Sequence, residues 1–188
     1  IGCSEPEPLN YQMLVQRDSI FYLKDTNKIY SGPVFNIKGK SKGYIKKGKW
    51  NGEFEFYHSN GQLNGIGSYK DGDGSDLGDT GIPRSGREGL WKFYSENGQL
   101  TEESTYKDGK PDGPYKLYYE NGQLGYEGTY KDGKRDGPFK IFNIDGQLLD
   151  EGTFKNDKFD GLRKLYYENG QLNEEVIYDY GILWGPYK

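Results

Sequence analysis

Residues 118–124 read YYENGQL, and the same seven letters return at residues 166–172. Near copies end at Leu63, Leu100 and Leu148, and from Leu100 onward the closing leucines stand 24 residues apart. Self-similarity at a fixed period of roughly 20–50 residues is the signature of a repeat architecture. The sequence therefore predicts a chain built from tandem copies of one supersecondary unit.

One full period, from Gly113, reads GPYKLYYENGQLGYEGTYKDGKRD and contains two turn signals. Asn121–Gly122 lies between two aromatic-rich runs, which predicts a hairpin with a type I′ turn and positive φ at both central residues. DGKRDG predicts a second turn that leads to the next repeat. No stretch shows apolar residues at helical spacing. The predicted fold class is all-β, an antiparallel sheet of tandem β-hairpins with period 24 and no significant helix. The hairpin turns are predicted at Asn60–Gly61, Asn97–Gly98, Asn121–Gly122, Asp145–Gly146 and Asn169–Gly170.

The repeats also divide the chain. Residues 1–10 are predicted to be an N-terminal tether, and residues 11–188 a single domain of repeats. Residues 11–31 are predicted to form a divergent hairpin, and residues 71–88 are an insertion in the unit that starts at Gly52. A shortened unit starts at Gly32, and full units start at Gly52, Gly89, Gly113, Gly137 and Gly161.

The composition indicates a thin hydrophobic core that is built largely from tyrosine. Hydrophobic residues make up only 32% of the 188 residues, yet there are 18 tyrosines and 9 phenylalanines. Disordered chains are poor in aromatic residues, so this balance indicates a folded all-β chain. The net charge is −4 with both signs interleaved and no basic block, so no nucleic-acid partner is expected. No apolar run is long enough to span a bilayer.

Turn geometry predicts the register of each hairpin. With a two-residue turn at Asn121–Gly122, Lys116 pairs with Glu127, and Tyr118 pairs with Gly125. Lys and Glu recur as predicted partners in the other units, and a large residue faces a glycine at the base, as Phe54 faces Gly67. Equivalent pairs are Lys92 with Glu103, Lys140 with Glu151, Lys164 with Glu175, and Phe139 with Gly152.

This register places one aromatic residue per repeat on the polar face of the sheet. We call this row the aromatic ladder, and it consists of Tyr57, Tyr94, Tyr118, Phe142 and Tyr166. Neighbouring members should lie about 10 Å apart, two strand spacings. Two interpretations remain open: the rings pack on the adjacent hairpin, or they form a binding face for an extended peptide or a glycan.

Cys3 is the only cysteine, so the chain can form no internal disulfide. It stands in GCSEPEP, which is similar to the end of a bacterial lipobox followed by a polar, proline-containing tether. We predict lipidation of Cys3 and attachment to the bacterial cell envelope, with a cytoplasmic location as the alternative. The membrane is then expected as a partner only through this anchor.

The residues give little support for catalysis or metal binding. His58 is the only histidine, and no nucleophile, base and orienting group can be assembled around it. We therefore expect no enzymatic activity and no cofactor. Asp71, Asp73, Ser75 and Asp79 match four positions of a calcium loop, but the expected glycine and the closing glutamate are absent. A solvated loop is the preferred interpretation of the insertion.

The segments YEGTYKDGKRDGPFKIF and YYENGQL resemble the MORN repeat variant family over roughly residues 30–188. The resemblance implies an elongated, twisted antiparallel sheet of successive hairpins. Bacterial proteins of this group are often labelled antitoxin components of toxin–antitoxin systems, and related MORN-repeat proteins are described as scaffolds for protein or lipid contacts.

The resemblance and the composition together predict a non-enzymatic scaffold that binds another protein, whose identity the sequence does not give. An antitoxin or immunity-type role and an envelope lipoprotein are the narrower forms of this prediction. FNIDGQL at residues 142–148 is also similar to choline- and glucan-binding repeats. A cell-wall or glycan-binding module is therefore the first alternative, and a phospholipid-contacting module is the second.

Overall fold

Strands account for nearly all of the regular structure. The computed structural model describes residues 7–35, 41–77 and 81–187. The strands are β1 (Leu9–Asn10), β2 (Leu14–Arg17), β3 (Ile20–Leu23), β4 (Gly32–Phe35), β5 (Ser41–Lys46), β6 (Lys49–Tyr57), β7 (Leu63–Gly72), β8 (Arg87–Tyr94), β9 (Leu100–Lys107), β10 (Lys110–Tyr118), β11 (Leu124–Lys131), β12 (Lys134–Arg135), β13 (Gly137–Phe142), β14 (Leu148–Lys155), β15 (Lys158–Phe159), β16 (Gly161–Tyr166), β17 (Leu172–Asp179) and β18 (Ile182–Tyr187). The only helical element in the described ranges is a 3₁₀ turn at Tyr11–Met13. Within those ranges, no helix has the length and apolar character needed to cross a bilayer. The predicted fold class, an all-β chain of consecutive antiparallel hairpins, is confirmed.

The chain divides into two units. Unit 1 contains the described residues up to Gly98 together with Tyr106–Gly109, and unit 2 contains Gln99–Thr105 together with the described residues from Lys110 onward.

Unit 1 buries one aromatic cluster. Its sheet runs β1-β4-β5-β6-β7-β8, with β1 parallel to β4, while β2 and β3 form a separate hairpin. Trp50 stacks on Phe54 with ring centroids 4.6 Å apart and meets Tyr69 edge-on at 5.0 Å. Phe21 of β3 joins this cluster, so the N-terminal hairpin covers the core face of the sheet. The predicted divergent hairpin at residues 11–31 thus supplies a cover for the first repeats.

Unit 2 has a thinner core. Its sheet runs β10-β11-β13-β14-β16-β17-β18, with β12 beside β11 and β15 beside β14. The buried side chains Phe139, Asp150, Phe154 and Val176 all lie on one face, which we call the core face. Long side chains close this face, since the Arg135 guanidinium lies 4.1 Å from the centre of the Phe154 ring.

The predicted type I′ turns at the Asn–Gly pairs are wrong. In the hairpin of β10 and β11, Gly122 N–H donates to Tyr119 O and Tyr119 N–H donates to Gln123 O, both at 2.9 Å. Only Gly122 has positive φ, at 84°. These features define a three-residue loop, a type I turn followed by a left-handed glycine. Asn121 is favoured for a different reason, because its side chain accepts a hydrogen bond from Gln123 N–H at 3.0 Å.

The longer loop changes the register next to the turn. Lys116 pairs with Glu127 as predicted, but Tyr118 pairs with Leu124, so the predicted Tyr118–Gly125 pair is wrong. A register shift between Leu117 and Tyr118 absorbs the extra residue of the loop. The predicted pairs Lys140–Glu151, Lys164–Glu175, Phe54–Gly67 and Phe139–Gly152 are confirmed.

Type I′ geometry is found at the second turn of every repeat except the one that starts at Gly52, where the insertion follows β7. Asp132 and Gly133 have φ values of 51° and 86°, and Lys131 pairs directly with Lys134. Two adjacent residues of positive φ also occupy 47–48, 108–109, 156–157 and 180–181. From residue 108 onward, these two-residue turns follow one another at intervals of 24 residues.

Each of these turns is hydrogen-bonded to the segment that follows the preceding turn. Gly133 N–H donates to Pro111 O at 2.8 Å, and Asp132 N–H donates to a carboxylate oxygen of Asp112 at 3.0 Å. The same carboxylate-to-turn bond recurs as Glu88 to Asp108, Asp136 to Asn156 and Asp160 to Tyr180. The second acidic residue of the DGKRDG motif, or its equivalent, thus has a structural role at each turn from residue 108 onward.

The insertion at 71–88 is not the solvated loop that the sequence indicates. Ile82 is 1% exposed and Arg87 is 2% exposed. The Arg87 guanidinium donates to Ile82 O, Pro83 O and the Tyr106 hydroxyl, and lies 4.8 Å from the centre of the Trp91 ring. The second half of the insertion is therefore part of the unit 1 core, while Leu77 in its first half is exposed.

Candidate functional site: the polar face of the repeats

The face opposite the core carries a similar set of side chains in every repeat of unit 2. Along β10 it presents Pro114, Lys116 and Tyr118, and along β11 it presents Thr129 and Glu127. Equivalent positions on the following strands are Pro138, Lys140, Phe142, Thr153, Glu151, Leu162, Lys164, Tyr166, Ile177 and Glu175. Because the core side chains lie on the other face, this polar face is available to a partner.

A row of alternating charge runs across the strands of this face. Lys116 pairs with Glu127, which pairs on its other side with Lys140. The row then continues through Glu151, Lys164 and Glu175. The Lys164 ammonium lies 3.4 Å from a carboxylate oxygen of Glu175. Among the described residues, Lys116, Glu127 and Lys140 form no ion pair.

The aromatic ladder lies on this face, beside the charged row. Tyr118, Phe142 and Tyr166 share the face in unit 2, and each is two residues from its lysine on the same strand. In unit 1, Tyr57 and Tyr94 occupy the same positions on β6 and β8. All five are half-buried. Their half-buried rings leave both earlier interpretations, packing and binding, open.

Two tyrosines of the ladder, both in unit 2, are held by glutamates of that unit. Tyr118 O–H donates to Glu103 at 2.8 Å, and Tyr166 O–H donates to Glu151 at 2.8 Å. Burial, followed by the bond to Glu103, raises the pKa of Tyr118 to about 12. The rings are thus fixed in place, and each hydroxyl is already bonded to a glutamate. In the repeat between them, Phe142 has no hydroxyl that could donate to Glu127, the equivalent of Glu103 and Glu151.

In unit 1 a lysine, a glutamate and a tyrosine are hydrogen-bonded together. Tyr57 O–H donates to Glu55, and Lys42 Nζ donates to the Tyr57 hydroxyl at 3.2 Å. Hydrogen bonds from Tyr57 and Lys42 lower the pKa of Glu55, although partial burial opposes them. The tyrosine–glutamate hydrogen bond is therefore common to both units.

His58 has a structural contact rather than a catalytic neighbourhood. It occupies the position of Tyr119 in its repeat, and its Nε2 donates to Tyr94 O at 2.7 Å. Tyr119 makes the equivalent bond, since its hydroxyl donates to Phe142 O at 2.8 Å. Both side chains join one hairpin to the next.

The described residues of the predicted calcium loop are engaged in local hydrogen bonds. Asp73 accepts hydrogen bonds from Ser75, whereas Asp71 bonds with Asn51. Hydrogen bonds from Ser75 and Ser85 hold the pKa of Asp73 at about 2, although burial acts in the opposite direction. Asp79 and Cys3 lie outside the described residues. Within the described ranges, no three acidic, histidine or cysteine side chains are arranged to hold a metal ion.

Sequence reasoning missed one component of this face. Residue 114 and its equivalents form a third row, which contains Leu90 in unit 1 and Pro114, Pro138 and Leu162 in unit 2, all exposed. The recurrent Gly-Pro and Gly-Leu dipeptides at the 24-residue period were the available signal. Each repeat of unit 2 thus offers an apolar residue, a lysine and an aromatic ring in line.

Comparison with known families identifies the repeats. The MORN repeat variant matches residues 50–71, 87–108, 111–132 and 159–180. Each matched segment ends on a residue of positive φ, and in the last three segments this residue, Asp108, Asp132 or Tyr180, opens a two-residue turn. No curated protein matches the sequence significantly.

Proposed function

This chain belongs to the MORN repeat variant family, and on that premise we propose that it is a non-catalytic scaffold that binds another protein through its polar face. A repeat-based binding module is the role that the family supports. The finer assignment, to a protein partner, rests on the side chains of the face.

The observation that carries the proposal is the repetition on the polar face of unit 2. Burial explains why the core face keeps phenylalanine and tyrosine, but it does not require one apolar residue, one lysine and one aromatic ring on the opposite face of each repeat. Aromatic residues with a polar tip are the side chains that contribute most at protein interfaces. Tyr118 and Tyr166 are fixed by their glutamates, so binding would cost little side-chain entropy.

Crosslinked affinity capture from the native organism tests this proposal. The intact chain serves as bait, and captured proteins are identified by mass spectrometry. The Tyr118→Ala/Tyr166→Ala double variant should lose the captured partner. A matched control replaces two exposed tyrosines away from the ladder, Tyr167 and Tyr180, with alanine, and it should retain the partner.

The result also separates the alternatives. If the ladder variant captures every partner of the wild type, the ladder is not the binding face. If soluble cell-wall fragments bind the purified chain directly and quench its tyrosine fluorescence, the glycan alternative replaces the protein-binding proposal. A captured toxin would narrow the function to the antitoxin or immunity type.

We further propose that Cys3 anchors the scaffold to the cell envelope. The support is the GCSEPEP sequence at residues 2–8. Growth with a fatty-acid analogue should label the wild-type protein but not the Cys3→Ser variant. Absence of label from the wild type would refute the anchor and leave the binding proposal unaffected.

A further inference from the structure

Two equivalent grooves lie on the polar face of unit 2, one repeat apart. The first has a volume of about 420 Å³ and the second about 170 Å³. In the first groove Pro114 and Pro138 form the walls, with Thr129 between them. The second groove repeats this arrangement with Pro138, Thr153 and Leu162. The repeat thus generates a series of binding positions.

Both grooves carry an excess of positive charge. Lys116, Glu127 and Lys140 line the first groove, and Lys140, Glu151 and Lys164 line the second. Because the grooves share Lys140, together they contain three lysines and two glutamates, a net charge of +1 in a chain whose net charge is −4. In the part of the chain that the structure describes, Lys116 and Lys140 have no ion-pair partner. The grooves are therefore complementary to an acidic ligand.

The chain places an acidic, proline-containing segment of its own at the equivalent position of unit 1. Pro33, Val34, Phe35, Lys42 and Gly43 line a groove there and occupy the same register positions as Pro114, Tyr115, Lys116, Glu127 and Gly128. The groove is completed by Glu7 and Pro8, which lead into β1 beside β4. A Glu–Pro dipeptide is thus compatible with this groove.

The spacing of the lysines selects the backbone conformation of the ligand. Lys116, Lys140 and Lys164 lie on alternate strands, so successive lysines are separated by two strand spacings, about 9.6 Å. Three residues of a polyproline II helix rise about 9.3 Å and return to the same side. A β-strand returns to the same side after two residues, about 6.8 Å, which does not match. The ladder rings recur at the same interval, and aromatic grooves are the usual receptors for polyproline II ligands.

We propose that the polar face of unit 2 binds an acidic, proline-rich segment of a partner protein in the polyproline II conformation, running across the strands. Every third residue is acidic and contacts one lysine of the series Lys116, Lys140 and Lys164. The intervening prolines lie in the grooves and against the ladder rings. This inference rests on the proposed protein-binding function and specifies the chemistry of the partner.

The test uses the full-length chain and a fluorescein-labelled peptide of three Pro-Glu-Pro units, with fluorescence anisotropy at low ionic strength. The Lys140→Glu variant should bind about tenfold more weakly, because Lys140 borders both grooves and the reversal replaces an attraction with a repulsion. The matched control is Lys24→Glu, which makes the same charge reversal at an exposed lysine of the N-terminal hairpin in unit 1, and it should bind as the wild type does. Added salt should weaken wild-type binding.

Two further peptides separate charge from conformation. Three Pro-Gln-Pro units keep the conformation and lose the charge, while nine glutamates keep an excess of charge and lose the prolines. Both should bind about tenfold more weakly than the acidic proline peptide.

Equal binding of either peptide, equal binding to Lys140→Glu, or no binding of the acidic peptide to the wild type would overturn the inference. Polygalacturonate binding in place of the peptide would also overturn it, in favour of an acidic glycan. If the peptide fails while partner capture still depends on Tyr118 and Tyr166, the inference is refuted and the proposed function stands.

Discussion

Units 1 and 2 are built from the same repeat, yet they bury it differently. In unit 1 the N-terminal hairpin and the insertion cover the core face, and Trp91 is 0% exposed. In unit 2 the described residues provide no such cover, and Leu117 on the core face remains 38% exposed. Arg135 and Arg163 lie over phenylalanine rings instead. A repeat therefore fixes strands and turns, while segments outside the repeat determine how deep the core becomes.

The largest expected difference between the units comes from removing an aromatic ring. Trp91→Ala should lower the free energy of unfolding by about 3–5 kcal/mol, because its ring packs against Tyr69 and Phe93 and covers Gly67. Tyr130→Ala removes a half-buried ring of unit 2 and should cost about 1–2 kcal/mol. Urea denaturation followed by circular dichroism measures both values. Equal losses would contradict the difference in burial.

The second effect concerns the buried ion pair of unit 2. Arg163 donates to both carboxylate oxygens of Asp150, with an N–O distance of 2.6 Å at the shorter bond, and this bond raises the pKa of Arg163. Arg163→Leu should cost about 3 kcal/mol because it leaves a buried carboxylate unpaired. Adding Asp150→Leu should restore most of that loss. A double variant as unstable as Arg163→Leu alone would show that the arginine acts mainly by covering Phe159.

The hairpin turns should not distinguish the units. Gly61 in unit 1 and Gly122 in unit 2 have φ values of 89° and 84° in the same three-residue loop. Replacing either glycine with alanine should cost about 1–2 kcal/mol, the usual penalty for an L-residue in the left-handed region. Thermal denaturation of the two variants tests this equality. Unequal costs would mean that coverage of the core also constrains the turns.

The smallest expected change in stability concerns two buried hydroxyls. Tyr69 O–H donates to Pro83 O at 2.6 Å in unit 1, whereas the buried Tyr126 hydroxyl of unit 2 has no partner among the described residues. Burial raises the pKa of both groups, that of Tyr126 to about 12. Tyr69→Phe should cost about 1 kcal/mol, while Tyr126→Phe should be neutral or stabilising. Destabilisation of Tyr126→Phe by a similar amount would reveal a bonded hydroxyl.

The sequence was sufficient to predict the repeat, the strands and most of the register. Period and turn dipeptides act over a few residues, so Lys116 and Glu127 could be paired without a structure. The type I′ prediction for the Asn–Gly turns was wrong, because Asn and Gly are compatible with two different loops and the choice depends on hydrogen bonds around Tyr119. The burial of Arg87 was not predicted, since it depends on how the insertion folds back to bring the Ile82 and Pro83 carbonyls and the Trp91 ring around the guanidinium. The hydrogen bonds of Tyr118 and Tyr166 to glutamates 15 residues away were not anticipated, because these partners lie on neighbouring strands and outside the predicted pairs.

The turn-to-turn bonds also bear on how such a protein changes over evolution. Each two-residue turn from Asp108 onward is bonded to residues 20 to 22 positions earlier, through a backbone carbonyl and an acidic side chain. The hydrogen bonds of each turn therefore involve only the repeat immediately before it. Duplication or loss of a gene segment that encodes one 24-residue repeat would recreate the same hydrogen bonds at the new boundary. The array can lengthen or shorten by whole segments, and with it the number of lysines offered to a partner, without any compensating substitution.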